Sequence, residues 1–260
     1  MGDHLLHTVR RDPEWESDGK SVNKRNDRHR QRLMDYIKKQ IGDRTELLEK
    51  VTPNYPPYLK RILVDNRWYE TVKKDNVDLY TEKIEKVEEK GIKMQSGEFI
   101  PLDALLFATG FQTSRLLASY KLTGKDGANL EDEWGNDDSR AYLGMTIPGF
   151  PNFFALYGPN TNLGHGGSII FIAECQVRYL TKLLMHAIEN EVNSLECKRE
   201  VYDTYNQKLD AEHEGLIWTT PNMNTWYRNA SGRVVSIMPW RLVDYWEMTQ
   251  EPTLDDYYLE

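Results

Sequence analysis

Three stretches of this 260-residue chain combine residue types that can do chemistry. The first is Gly158-Pro-Asn-Thr-Asn-Leu-Gly-His-Gly-Gly-Ser168, which lies between an apolar run at 153–157 and a helical pattern at 168–190. A helix start offers unpaired backbone N–H groups and a partial positive charge, so it can hold a phosphate or another anionic group. Gly164, Gly166 and Gly167 allow such a group to come close to the backbone. His165 either tunes that group or makes a loop hydrogen bond, and an ordinary glycine-rich strand-to-helix loop would read the same way. The second stretch carries Arg61, a permanent cation able to stabilise an oxyanion. Arginine at a strand start is, as a rule, a surface salt-bridge residue. The third is Thr225-Trp226-Tyr227-Arg228-Asn229. The indole N–H of Trp226 can hydrogen-bond a ligand, or the ring can anchor a core or an interface. The six histidines have no metal-ligand spacing, Ser168 lacks a G-x-S-x-G context, and Asp255-Asp256 reads as a solvated acidic tail.

The elements that must position these residues read as α/β. Residues 104–108 are apolar, too few for a helix, and flanked by Asp103 and Thr109-Gly110, which predicts a buried parallel strand ending in a tight turn. Further strands are expected at 61–64, 77–80 and 153–157, an edge strand at 83–90, and a hairpin across Ser96-Gly97. Helices are expected at 21–41, with Val22, Leu33, Ile37 and Ile41 on one face, then at 43–48 with Asp43 as cap, at 66–71, at 168–190 and at 196–218. In the long helix at 168–190, the apolar positions Ile169, Ile172, Val177, Leu180 and Leu184 sit mostly at three- and four-residue steps. The basic run 23–32 reads as a solvated helix face, with phosphate contacts as the alternative.

Several classes are excluded. A formal net charge of −8 argues against nucleic acid as a partner. No apolar run reaches the length of a membrane span, and the first residues have no signal-peptide layout. Cys175 and Cys197 are far apart and read as reduced thiols of a cytoplasmic protein.

Beyond the residues themselves, several segments resemble the flavin-containing and Baeyer–Villiger monooxygenases. These are the apolar-Ala108-Thr109-Gly110-Phe111 turn, the Gly158-Pro-Asn-Thr-Asn-Leu-Gly-His-Gly-Gly loop, the Lys60-Arg61…Asp65…Tyr69…Asp75-Asn76-Val77 segment, and Thr225-Trp226-Tyr227-x-Asn229-x-x-Gly232-Arg233. Together with Asp12-Pro-Glu-Trp15 and the 21–29 run, the last resembles the acetophenone-type branch, and the resemblance covers nearly the whole chain. It implies FAD and NADP as cofactors. Asn160, Thr161, Asn162 and Leu163 would contact the isoalloxazine ring, Thr109 and Gly110 would lie on its other side, and Trp226 would sit by the nicotinamide. Arg61 would be the catalytic arginine. The implied reaction is insertion of one oxygen atom from O2 into a ketone through a C4a-peroxyflavin. Oxidation of a substrate nitrogen or sulfur is the alternative within the class, and an inactive remnant or interaction module the alternative outside it.

The resemblance also exposes a gap. No G-x-G-x-x-G fingerprint occurs in the chain, nor does the family's own aromatic-Gly-x3-His-x3-Trp-Pro pattern. The expected fold is therefore a partial flavoprotein of the two-dinucleotide-binding-domain, Rossmann-like kind. Residues 1–52 are read as a helical insertion, 53–107 as the C-terminal part of an NADP-binding domain, and 108–260 as the C-terminal part of an FAD-binding domain. An N-terminal fragment or a second copy is the expected macromolecular partner.

Overall fold

A computed structural model describes residues 2–164 and 166–260. In chain order its helices and strands are α1 (Leu6–Val9), α2 (Lys24–Ile41), α3 (Leu48–Val51), α4 (Trp68–Val72), β1 (Ile84–Glu88), β2 (Gly91–Met94), β3 (Phe99–Pro101), α5 (Leu130–Trp134), α6 (Ile169–Glu189), β4 (Leu195–Cys197), α7 (Arg199–Glu214), α8 (Leu242–Met248) and β5 (Tyr257–Leu259). The chain divides into two compact units. One contains Met1–Arg30, Tyr55–Ile62 and Thr113–Glu260; the other contains Gln31–Asn54 and Leu63–Gln112. No helix among the described residues is long and apolar enough to cross a membrane.

The first unit is organised by α6. Tyr179, Leu180 and Leu183 pack with Met145, Ile147, Leu195 and Tyr257, while Ile172 and Cys175 pack with Leu209, Met238 and Tyr245. A third cluster joins Val9, Leu59, Trp218, Tyr227 and Ile237. The pair β4–β5 is antiparallel, with Cys197 opposite Tyr257. Both cysteines are buried and free, and burial pushes the Cys197 thiol up to about 12. α2 starts where its sequence provides a cap: the Asn23 side-chain oxygen accepts from the N–H groups of Arg25 and Asn26 at 2.8 Å.

In the second unit, β1, β2 and β3 form an antiparallel meander whose β2–β3 turn carries Gly97 at φ +91°. This is the edge strand expected from the charged, poorly alternating run at 83–90 and the hairpin expected at Ser96-Gly97. Beside it, Ile37, Ile41 and Leu47 form a small core. Asp43 does not cap the following turn; Arg44 occupies that position and makes no side-chain cap.

Four expected strands are absent. Residues 61–64, 77–80, 104–108 and 153–157 have no strand assignment, and Val64, Leu106 and Phe111 are 94%, 87% and 92% exposed. A strand buried on both faces needs a neighbour on each side to pair its N–H and C=O groups. The described residues offer only the meander and β4–β5, and neither pairs with these segments. α6 forms as expected, but Ile169, Val177 and Leu184 are exposed, and its buried side runs through Ile172, Cys175, Gln176, Tyr179 and Leu183.

Candidate functional site

The first unit brings together Arg61, the 158–163 loop and Trp226. Arg61 follows three consecutive backbone carbonyls, each held by a side chain from a different part of the fold. Asn26 Nδ2 donates to Pro57 O at 3.0 Å, Trp218 Nε1 to Tyr58 O at 3.0 Å, and Thr225 Oγ1 to Leu59 O at 2.8 Å. All three donors are buried. The His29 ring stacks on Tyr58 with centroids 5.2 Å apart, and Tyr58 itself sits at φ +73°. A left-handed tyrosine persists only where the surroundings hold it. Held this way, the Arg61 guanidinium donates through Nη1 to the carbonyl of Leu163 at 3.3 Å.

The loop is fixed from the inside. Asn160 adopts φ +55°, is 2% exposed, and donates to Val234 O at 2.8 Å and Ile237 O at 3.2 Å. Its oxygen accepts from Arg233 Nη2 at 3.4 Å. Arg233 is itself buried among Asp210, Asp138 and the carbonyl of Ser139. Thr161 is fully buried and donates to Gly158 O at 2.7 Å. The side chains of Asn160 and Thr161 are thus turned into the protein, and a ligand would meet this loop through its backbone. Asn162 faces the other way: its oxygen accepts from the Tyr157 hydroxyl at 2.7 Å and from the Leu163 N–H at 2.8 Å.

The electrostatics of the site centre on Arg61. Burial raises the Tyr157 phenol above its ordinary value, and the positive charge of Arg61 opposes that rise. The same two influences act on Tyr227. Next to Tyr227, Trp226 is 43% exposed, its ring 4.1 Å from that of Tyr227, and its carbonyl accepts from Thr113 Oγ1 at 3.4 Å. Tyr157 and Tyr227 are members of this site that sequence reading did not single out. Tyr157 is marked only by its left-handed backbone, φ +54°, which no sequence pattern announces.

The glycines serve packing as much as access. A Cβ on Gly164 would collide with the Trp218 ring, and one on Gly167 would press on Leu242. His165 lies outside the described residues. Thr109 and Gly110 belong to the second unit, where both are exposed and Gly110 has φ +82°.

This site fits one edge of a flavin ring in part. Ser168, at the N-cap of α6, makes no side-chain cap hydrogen bond, and residues 167–170 are exposed, so the helix start presents N–H donors outward. Among the described residues no His, Cys, Asp and Glu cluster could hold a metal ion.

No protein-family model matches the chain. Among curated proteins, the uncharacterized monooxygenase y4iD of Sinorhizobium fredii is 42% identical over 249 residues, 96% of this chain and 38% of the relative. A Baeyer–Villiger monooxygenase of Pseudomonas aeruginosa is 37% identical over 210 residues, 79% of this chain and 39% of the relative. Among solved structures, oxidised steroid monooxygenase bound to NADP matches with a TM-score of 0.76 at 26% identity, covering 93% of this chain and 44% of that one. The OTEMO complex with FAD and NADP matches with a TM-score of 0.78, covering 92% and 45%; its 23% identity speaks to fold alone. The chain spans about two fifths of the length of the curated relatives it matches. By sequence and fold, the chain is similar to a portion of monooxygenases that include Baeyer–Villiger enzymes, and it carries no dinucleotide fingerprint.

Proposed function

We propose that this chain supplies the flavin-ring and nicotinamide side of an FAD- and NADPH-dependent monooxygenase that inserts oxygen into a ketone. The observation that carries this reading is Arg61, held by three backbone anchors and directed onto the Leu163 carbonyl. A bound flavin would supply the activation of O2. Arg61 then offers a permanent cation to the negative charge that develops on the ketone oxygen, a contribution of roughly 3–4 kcal/mol for one well-aimed donor. The start of α6 offers N–H groups to an electron-rich ring edge. Trp226 offers a part-exposed aromatic ring and an indole N–H next to Tyr227, which feels the charge of the same arginine. Tyr157 keeps Asn162 turned outward, which sets the path of the backbone at Leu163.

In this reading, 53–107 is the remaining part of a nicotinamide domain, 108–260 that of a flavin domain, and 1–52 a helical insertion. The two free, buried cysteines agree with a reducing compartment, the cytoplasm. The test is the visible spectrum of the purified chain after incubation with FAD and removal of the excess. The expected result is a protein-bound flavin band that bleaches with NADPH, with Arg61→Ala retaining the band and losing oxygen insertion into a ketone. Protein that emerges colourless overturns the idea that this chain holds the flavin unaided.

A further inference from the structure

We infer that Gln176, on the buried side of α6, is a positioning residue for Arg61: through Tyr157 and Asn162 it fixes the Leu163 carbonyl that the guanidinium grips. The inference rests on the reading of Arg61 as the cation of the site, and every residue it uses lies in the first unit. Gln176 and Tyr245 have no exposed surface. Gln176 Oε1 accepts from the Tyr157 N–H at 2.8 Å, and Gln176 Nε2 donates to the Tyr245 hydroxyl oxygen at 3.0 Å. The Tyr245 hydroxyl, on α8, donates in turn to Leu143 O at 2.7 Å. On the other side of Tyr157 the bonds continue outward. Its hydroxyl donates to Asn162 Oδ1, which also accepts from the Leu163 N–H, and Leu163 O accepts from Arg61.

The direction of each inner bond is fixed by the groups at its ends. A backbone N–H only donates and a backbone carbonyl only accepts. The Tyr157 N–H therefore turns Oε1 of Gln176 toward itself and leaves Nε2 for Tyr245, while Leu143 O takes the Tyr245 proton. A reversed amide would set donor against donor, so the bridge has one arrangement. Its backbone ends, Leu143 and Tyr157, are both left-handed, at φ +52° and +54°. Residues other than glycine keep that conformation only under outside restraint. Gln176 restrains Tyr157 directly and Leu143 through Tyr245. The two turns also touch each other. A Cβ on Gly158 would fall 2.4 Å from Gly144 O, and one on Gly144 would fall 2.1 Å from the Thr161 methyl. Residues 157–161 therefore cannot shift without the turn at 143–144.

A buried amide needs partners wherever it stands, so satisfied hydrogen bonds alone would make Gln176 an ordinary core residue. What sets it apart is the group it holds. Burial raises the Tyr157 phenol, and the positive charge of Arg61 opposes that rise; Tyr227 is the other phenol under both influences. Gln176 has no exposed surface with which to meet a ligand, and a change in it reaches the guanidinium through Tyr157.

The test replaces Tyr157, in the cofactor-free 260-residue chain, by a tyrosine fluorinated on both sides of its hydroxyl. Such a phenol titrates near neutral pH and is followed by fluorine NMR. Arg61→Met should raise the midpoint, because the cation that favours the phenolate is gone. In a Gln176→Met background the same substitution should leave the midpoint unchanged, because the phenol is no longer held near residue 61. An equal rise with and without Gln176, or no rise in either background, overturns the inference. If Gln176→Met melts without a cooperative transition, Tyr245→Phe takes its place, removing one hydroxyl and keeping the ring. It should shrink the rise caused by Arg61→Met, and an undiminished rise overturns the inference. In chain loaded with flavin, Gln176→Met should lower oxygen insertion into a ketone about tenfold, with the flavin band and its bleaching by NADPH intact. Unchanged turnover overturns the positioning role. Chain that stays colourless counts against the flavin reading alone, and the fluorine titration then decides the role of Gln176.

Discussion

The apolar run at 153–157 with its loop at 158–163 and the segment at 103–111 are both short apolar stretches running into a polar turn, and they are stabilised to very different extents. In the first, Asn160, Thr161 and Asn162 are all tied by their side chains, with Arg233 and Tyr157 as further anchors. In the second, no residue makes a hydrogen bond among the described residues, and Leu106, Phe107 and Phe111 are exposed. Apolar character alone therefore does not order a segment here. Order follows where buried polar side chains from other elements meet the backbone, which is where the net value of a hydrogen bond is greatest.

The largest expected effect breaks the anchored side of this contrast. Arg233→Ala removes the buried guanidinium shared by Asp210, Asp138 and Asn160, leaves the two carboxylates to Arg140, and should cost about 2–4 kcal/mol in urea unfolding. Acid should act on the same unit through His213. Its ring is buried against Ile237 O, and burial lowers its pKa to about 3, from 6.5 in an open chain. The unfolded chain binds the proton first, so stability is full above pH 6.5. It should fall at up to about 1.4 kcal/mol per pH unit as acid is added toward pH 3. Urea midpoints across that window should show the slope, and His213→Gln should flatten it. Gly164→Ala, which drives a methyl into the Trp218 ring, should cost about 1–3 kcal/mol in thermal unfolding. Thr225→Val removes the bond to Leu59 O and should cost about 1 kcal/mol. On the other side of the contrast, Phe107→Ser should change stability by less than about 0.5 kcal/mol. A larger loss would mean that 103–111 is packed in solution and that the two regions are more alike than they look.

What could be read from the residues was local. α2, α6 and the β2–β3 hairpin follow from periodicity and from Ser96-Gly97, which need no distant partner. The strands expected at 61–64, 104–108 and 153–157 depend on neighbours that sequence pattern does not supply, so apolar runs of the right length stayed unpaired. α6 was legible only in part for a related reason: being apolar on two sides, it gave no sign of which side would face Tyr257 and Tyr245. In the site, the positions of Arg61, Trp226 and the loop were legible by resemblance. The inward turn of Asn160 and Thr161 was not, because side-chain direction there is set by Arg233, 73 positions along the chain from Asn160. Asn26 and Thr225 lay in segments already singled out, yet their grip on Pro57 and Leu59 is visible only once the chain is folded.

Tyr55–Ile62 enters the first unit between two excursions of the chain into the second. Its connections at both ends are therefore tethers, and its position is set by the three donated hydrogen bonds and the His29–Tyr58 stack. In binding terms it is a captive octapeptide held by its backbone carbonyls, with Arg61 as its next-to-last residue. A protease that cut on both sides of it would leave a ligand rather than a gap, and the arginine would keep its place after losing its covalent links.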